Sequence, residues 1–265
     1  MNRIKTAAPA VLLAVILLIL ASCAAEINEN GGTTVNTTKD TAVETVSATA
    51  AASPVDAVLE RITVNEQSSI RIEAEKILYI DPFRVKDAPH DADLIFITHA
   101  HYDHFSPEDI EKVRKDDTVF VIPASMAADV KGMGVDGTKT VALAPGETTL
   151  VMGFPVETVP AYNTNKKFHP KKNGWLGYIL TVDGVRVYIA GDTDDTEEAR
   201  AVKCDIAMLP VGGTYTMTAK EARELAKVLA PKAAIPIHYG TVVGKESDFD
   251  TFAKGLGFAV KKLFL

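Results

Sequence analysis

The segment Thr98-His99-Ala100-His101-Tyr102-Asp103-His104 places three histidines and an aspartate within seven residues. It follows Asp93-Leu94-Ile95-Phe96-Ile97, an almost unbroken apolar run that predicts a fully buried strand over residues 93–98. It precedes Ser106-Pro107-Glu108-Asp109, which predicts a helix start with a serine cap, proline in the first turn and acids beside the positive helix end. The histidines therefore sit on a tight loop at the end of a rigid strand, where scaffolds usually present catalytic groups. The spacing H-x-H-x-D-H offers four metal donors, His99, His101, Asp103 and His104. Imidazole and carboxylate suit zinc, manganese or iron better than a metal that prefers soft ligands.

Short apolar segments between turn signals extend outward from this loop. Strands are predicted over residues 69–72, 77–80, 118–122 and 155–161. Residues 140–143 and 148–151 read as a strand pair about Pro145-Gly146, and 175–182 and 185–190 as a hairpin about Asp183-Gly184. Further strands are expected over residues 205–210, 233–237 (delivering His238) and, as a closing strand, 259–265. Residues 124–132, 218–229 and 247–255 read as helices. Thr218 and Glu221 form the cap signature of the second. Residues 54–64 suit a short helix or an extra strand. Strands pairing with strands, with helices at intervals, predict an α+β chain of two sheets with helices outside.

From about residue 66 onward the chain resembles the metallo-β-lactamase-fold hydrolase superfamily. The resemblance rests on Thr98 to His104, on Ala190-Gly191-Asp192-Thr193 after one strand, and on Ile237-His238-Tyr239-Gly240 after another. Within the superfamily it looks like the lactonase-like and N-acyl-phospholipase-like branch. The resemblance implies a four-layer αββα sandwich with a binuclear site. His99 and His101 would bind a first metal. Asp103, His104 and His238 would bind a second, and Asp192 would bridge both. The remaining first-metal ligand should be a histidine between the motif and Asp192, and His169 is the sole candidate there, although Phe168-His169-Pro170 departs from the Gly-His-Thr frame common in the superfamily. Two divalent ions are implied, zinc foremost, with manganese or iron as alternatives. A metal-bridging hydroxide would attack an ester, lactone or phosphodiester, with Asp103 orienting it or moving a proton. Asp81 is expected to steady a ligand histidine or Asp103. His90 reads as an exposed loop residue. The loop over residues 162–175, with four lysines, and Gly212-Gly213-Thr214-Tyr215 are expected near the substrate.

The N-terminal third differs in kind. All 18 aromatic residues lie at or after Tyr79. Arg3 and Lys5 precede an apolar run over residues 10–21, which is too short for a spanning helix and fits an export signal. Leu20-Ala21-Ser22-Cys23 resembles a lipoprotein lipobox. Residues 1–22 are thus read as a lipoprotein signal peptide, 23–53 as a lipidated Cys23 followed by a flexible tether, and 54–265 as the hydrolase domain. The domain would lie on the extracytoplasmic side of a membrane. Cleavage before Cys23 would remove 22 residues including both cations, leaving 243 residues with formal charge −9. Such an acidic chain does not favour nucleic acid. Cys204, in an apolar strand-like setting, reads as a core residue. The expected partner is a small-molecule or lipid substrate. The competing function is a non-enzymatic lipoprotein of the same fold that binds a metal or solute.

Overall fold

A computed structural model describes residues 52–264. The expected export signal, Cys23 and nearly all of the expected tether lie outside the described residues. Helix α1 (Pro54–Leu59) begins where the Ser53 side chain accepts the Asp56 N–H, and β1 (Ile62–Val64) follows. Residues 54–64 thus hold both a helix and a strand.

Six strands form the first sheet in the order β1, β2 (Ile70–Glu73), β3 (Ile77–Ile80), β4 (Ala92–Phe96), β5 (Arg114–Pro123) and β6 (Thr140–Leu143). The second has seven: β13 (Ala259–Val260), β12 (Ala233–Ile237), β11 (Ile206–Pro210), β10 (Val185–Ile189), β9 (Leu176–Val182), β8 (Phe154–Pro160) and β7 (Thr148–Val151). Side-chain alternation explains the layering. Leu94 and Phe96 of β4 and Val187 and Ile189 of β10 join one cluster between the sheets. Ile95 and Ile97 turn the other way, onto Ile110 of α2 (Pro107–Val113) and Val130 of α3 (Ala127–Gly132). Tyr188 and Leu209 face Ala199 of α4 (Glu197–Arg200), Leu225 of α5 (Ala219–Leu229) and Phe252 of α6 (Asp248–Ala253). Three apolar clusters between four layers make the expected αββα sandwich. Because both faces of the central strands are covered, they read as continuous apolar runs.

Several local expectations need correction. Residues 140–143 and 148–151 do not pair: β6 lies beside β5 in the first sheet and β7 beside β8 in the second. Pro145-Gly146 therefore carries the chain between sheets. The hairpin lies one step later, at Met152-Gly153, with both residues at positive φ. The β9–β10 hairpin does turn at Asp183-Gly184, again with two positive φ values, as a type I′ turn requires. The closing strand shrinks to β13, although Phe264 bridges to Val64. Cys204 precedes β11 and is half-buried at the edge of the outer cluster, not within a strand. Burial pushes its thiol up to about 12.

β3 and β4 run parallel, as do β10, β11 and β12. Their carboxyl ends release Asp81, the histidine loop, Asp192, Gly212 and His238 in turn. Parallel strands in two facing sheets thereby bring residues distant in sequence to one edge, the usual position of ligand sites in such sheets.

Candidate active site

At that edge the donor atoms of His99, His101, His169 and Asp192 lie within 4.8 Å of one another, as do those of Asp103, His104 and His238. The structure therefore brings together all seven residues expected as ligands. His99 Nε2 is 3.1 Å from His101 Nδ1 and 3.3 Å from His169 Nε2. Asp192 lies between the groups. Its Oδ2 is 3.2 Å from His169 Nε2 and 3.3 Å from His238 Nε2, and its Oδ1 is 3.3 Å from His104 Nε2. His238 Nε2 is also 3.3 Å from Asp103 Oδ2.

These separations test whether metals suit the site. Donors about 2.0–2.1 Å from a tetrahedral zinc lie about 3.3–3.4 Å apart, close to the spacings seen. His104 Nε2, His238 Nε2 and Asp192 Oδ1 are buried without a hydrogen-bond partner. Such orphans are costly unless something between them satisfies their lone pairs. The electrostatics point the same way. Burial pushes the His104 imidazole down, but Asp192, Asp81 and Asp103 outweigh it and hold it up at about 9. Burial likewise raises Asp103 and Asp192, yet the surrounding histidines prevail and keep both carboxyls below the usual range. The pocket thus stabilises positive charge. His99, by contrast, is pushed well below its ordinary value, first by burial and then by His104. His99 thus presents a neutral imidazole, the form in which histidine binds a divalent cation, while the carboxylates that hold a proton on His104 are the groups a cation would meet in its place.

Asp81 organises one half of the site from behind. Its Oδ1 accepts the Thr98 N–H at 2.7 Å, and its Oδ2 accepts the Thr98 hydroxyl at 2.6 Å. The same Oδ2 lies 2.7 Å from His104 Nδ1. A proton on Nδ1 leaves His104 Nε2 free to face Asp192. The Thr98 hydroxyl has given its one proton to Asp81, so it accepts from His99 Nδ1, 3.0 Å away. That frees His99 Nε2 as well. One buried carboxylate thereby sets the tautomers of two histidines. The sequence marks Asp81 for such a role but not the hydroxyl relay through Thr98.

The other half depends on the loop over residues 162–175. His169 is buried at its tip with φ 57°. Its Nδ1 lies 3.2 Å from the Asn163 side-chain amide, which also donates to Tyr215 O. Asp194 clasps the loop: its N–H donates to Tyr162 O, and its carboxylate accepts the Thr164 N–H and pairs with Lys166. Lys171 pairs with Glu198 at 2.6 Å. His238, φ 58°, is held by an N–H bond to Gln67 O, a contact without a sequence signal. A non-glycine residue in this region costs about 1–2 kcal/mol, so the fold enforces both histidine positions. Gly191, φ 64°, must lack a side chain, because a Cβ there would lie 2.9 Å from Leu176 O and 3.2 Å from Thr98 Cβ.

Trp175 packs over His99 and His101, with ring centroids 4.9 and 5.0 Å away. A cavity of about 250 Å³ opens beside His101, Asp103, Asp192 and His238 and is bordered by Tyr102, Phe168, Tyr215 and Val242. Of Gly212-Gly213-Thr214-Tyr215, only Tyr215 lines it. His90 stays outside the cluster, exposed, with Nδ1 3.0 Å from Arg114 O.

A family model described as a β-lactamase superfamily domain matches residues 61–238, a span that contains all seven donors and ends on His238. The chain belongs to the metallo-β-lactamase superfamily. The UPF0173 metal-dependent hydrolase of Thermococcus onnurineus strain NA1 is 30% identical over 210 residues, covering 75% of this chain and 92% of that relative. Its counterpart in Thermococcus kodakarensis is 32% identical over 198 residues, covering 70% of this chain and 87% of the relative. A crystal structure from Parabacteroides distasonis, provisionally assigned as a metal-dependent hydrolase, aligns with TM-score 0.64 at 35% identity over 76% of this chain and 91% of that one. This metallo-β-lactamase-fold domain is a metal-dependent hydrolase.

Proposed function

We propose that the chain is a two-metal hydrolase of an ester, lactone or phosphodiester, held outside the cytoplasm by a lipid on Cys23. The observation that carries the hydrolytic part is the pair of buried donor groups meeting at Asp192. His99, His101 and His169 would hold one cation, Asp103, His104 and His238 the other, and Asp192 would reach both. Zinc fits this donor set first, with manganese or iron as alternatives. Bound there, the cations supply Lewis acidity and lower the pKa of water.

The protein's own groups supply the rest. Asp103, kept ionised by His238 and His104, borders the cavity. At Oδ2 it can hold a proton or orient a water molecule. Asp81 and Thr98 keep His99 and His104 in the tautomers that present Nε2. Trp175 shields the histidines on one side from bulk solvent. The apolar run over residues 10–21 ending at Leu20-Ala21-Ser22-Cys23 supports export and lipidation. A lipid anchor with more than one chain would hold the domain stably at the membrane.

Hydrolysis of ester, lactone and phosphodiester panels by the metal-loaded chain, with His101→Ala as control, tests the catalytic reading. Metal-dependent turnover lost in the variant supports it. Equal turnover in the variant sinks it, and metal binding without turnover leaves the solute-binding alternative standing. For the tether, membrane association and lipid labelling should vanish in Cys23→Ala; their persistence refutes it.

A further inference from the structure

We infer that the cavity takes an uncharged carboxylic acid derivative with an aryl-sized apolar group on its acyl side, and that Phe168 and Tyr215 select that group. This rests on the hydrolase reading above and narrows its substrate class. Beyond the proposed metal-site residues, the cavity lining consists of Tyr102, Phe168, Tyr215 and Val242. Among the described residues, no lysine or arginine lines it.

The loop lysines are directed away from the cavity. Lys166 pairs with Asp194. Lys171 pairs with Glu198 and lies 4.6 Å over the Tyr162 ring. Lys167 and Lys172 are exposed and border no part of the cavity. The proposed cations can meet an anionic oxygen at the inner end of the cavity, but a charge placed along the outer walls would find no basic side chain to meet it.

The walls themselves suit an apolar group. Tyr102 is 64% exposed and Phe168 46%, two of the five large hydrophobics exposed among the described residues. Scattered exposed apolar residues need no explanation, but these two converge on one mouth from different sheets. Each is braced edge-on by a second ring. Phe168 meets Tyr215 at 4.7 Å and 90°, and Tyr102 meets Phe83 at 5.9 Å and 75°. Braced rings give an apolar ligand a wall that needs little ordering on binding. A volume of about 250 Å³ falls below the ~300–1,000 Å³ of typical drug-sized pockets, which suits an aryl or short acyl group better than a long lipid chain. In the reaction, the water oxygen bonds to the acyl carbon and the bond to the leaving oxygen breaks. One water proton passes to that oxygen, giving a carboxylic acid and an alcohol.

The test uses the metal-loaded full chain with 4-nitrophenyl acetate, 4-nitrophenyl phenylacetate and bis(4-nitrophenyl) phosphate. The phenylacetate should show the highest kcat/KM and the phosphodiester the lowest. Phe168→Ala and Tyr215→Leu should each lower the phenylacetate-to-acetate ratio by about tenfold, the scale at which apolar pockets discriminate. A second readout needs no turnover. Trp175, the single tryptophan, packs beside the site, so its fluorescence should report 2-phenylacetamide at concentrations at least tenfold below those needed for diphenyl phosphate. A preferred phosphodiester, a ratio unchanged in both variants, or equal binding of the two probes overturns the inference. If none of the esters is hydrolysed, the hydrolase reading fails, while the fluorescence comparison still decides what the cavity accepts.

Discussion

The two halves of the site are built on different supports. His104 and His99 sit on a strand-end loop and are fixed by a single fully buried carboxylate, Asp81, reached directly by one and through Thr98 by the other. His169 rides on a long loop, and its position depends on clasps from residues that follow Asp192. The first half is short-range and locked; the second is assembled by tertiary contacts. Perturbing the buried support should therefore disturb both proposed metals, whereas releasing the loop should affect one.

The largest effect is expected from Asp81→Ala. It leaves the Thr98 N–H without its acceptor inside the protein and frees two histidine tautomers. Losing such a backing group typically weakens metal affinity 10–100-fold, and metal titration should show that loss at both positions. The orphaned donor should also lower stability by about 1–3 kcal/mol in chemical denaturation. Loss at one position only would break the proposed relay through Thr98.

Asp194→Ala should come next. It strips the Thr164 N–H of its acceptor, removes the carboxylate that pairs with Lys166, which is 17% exposed, and lets the His169 loop drift. Affinity for the first metal should fall about tenfold while the second stays tightly bound, a contrast that stepwise titration with cobalt can read. The smallest effect is expected from Lys171→Ala. Its pairing with Glu198 is solvent-exposed, with Lys171 at 60%, and such pairs contribute about 0–1 kcal/mol. Metal binding should be unchanged. A loss equal to that in Asp194→Ala would mean that the outer clasp, not the buried one, holds His169.

This contrast also explains what could be read from the sequence. Thr98 to His104 is legible because strand, loop and helix cap are contiguous, and each carries a local signal. Asp192 and His238 are legible because each follows an apolar strand. The layering follows from strands with apolar residues at every position. What failed was pairing. Pro145-Gly146 has the chemistry of a tight turn, yet it joins strands in different sheets, and the true turn at Met152-Gly153 places a methionine at φ 46°. Turn propensity is local, while the choice of partner strand is set by the whole core. The lysines of the 162–175 loop were ambiguous for the same reason, since their acceptors Asp194 and Glu198 lie on another segment. The rims formed by Phe168 with Tyr215 and Tyr102 with Phe83 join residues 47 and 19 positions apart and leave no periodic trace.

The two-cation site is decided by counting metals in the purified full chain by mass spectrometry. Two divalent ions per chain are expected, falling to one in His169→Ala and to one in His238→Ala. One ion or fewer in the parent chain, or a count that neither substitution lowers, would contradict the two-cation site.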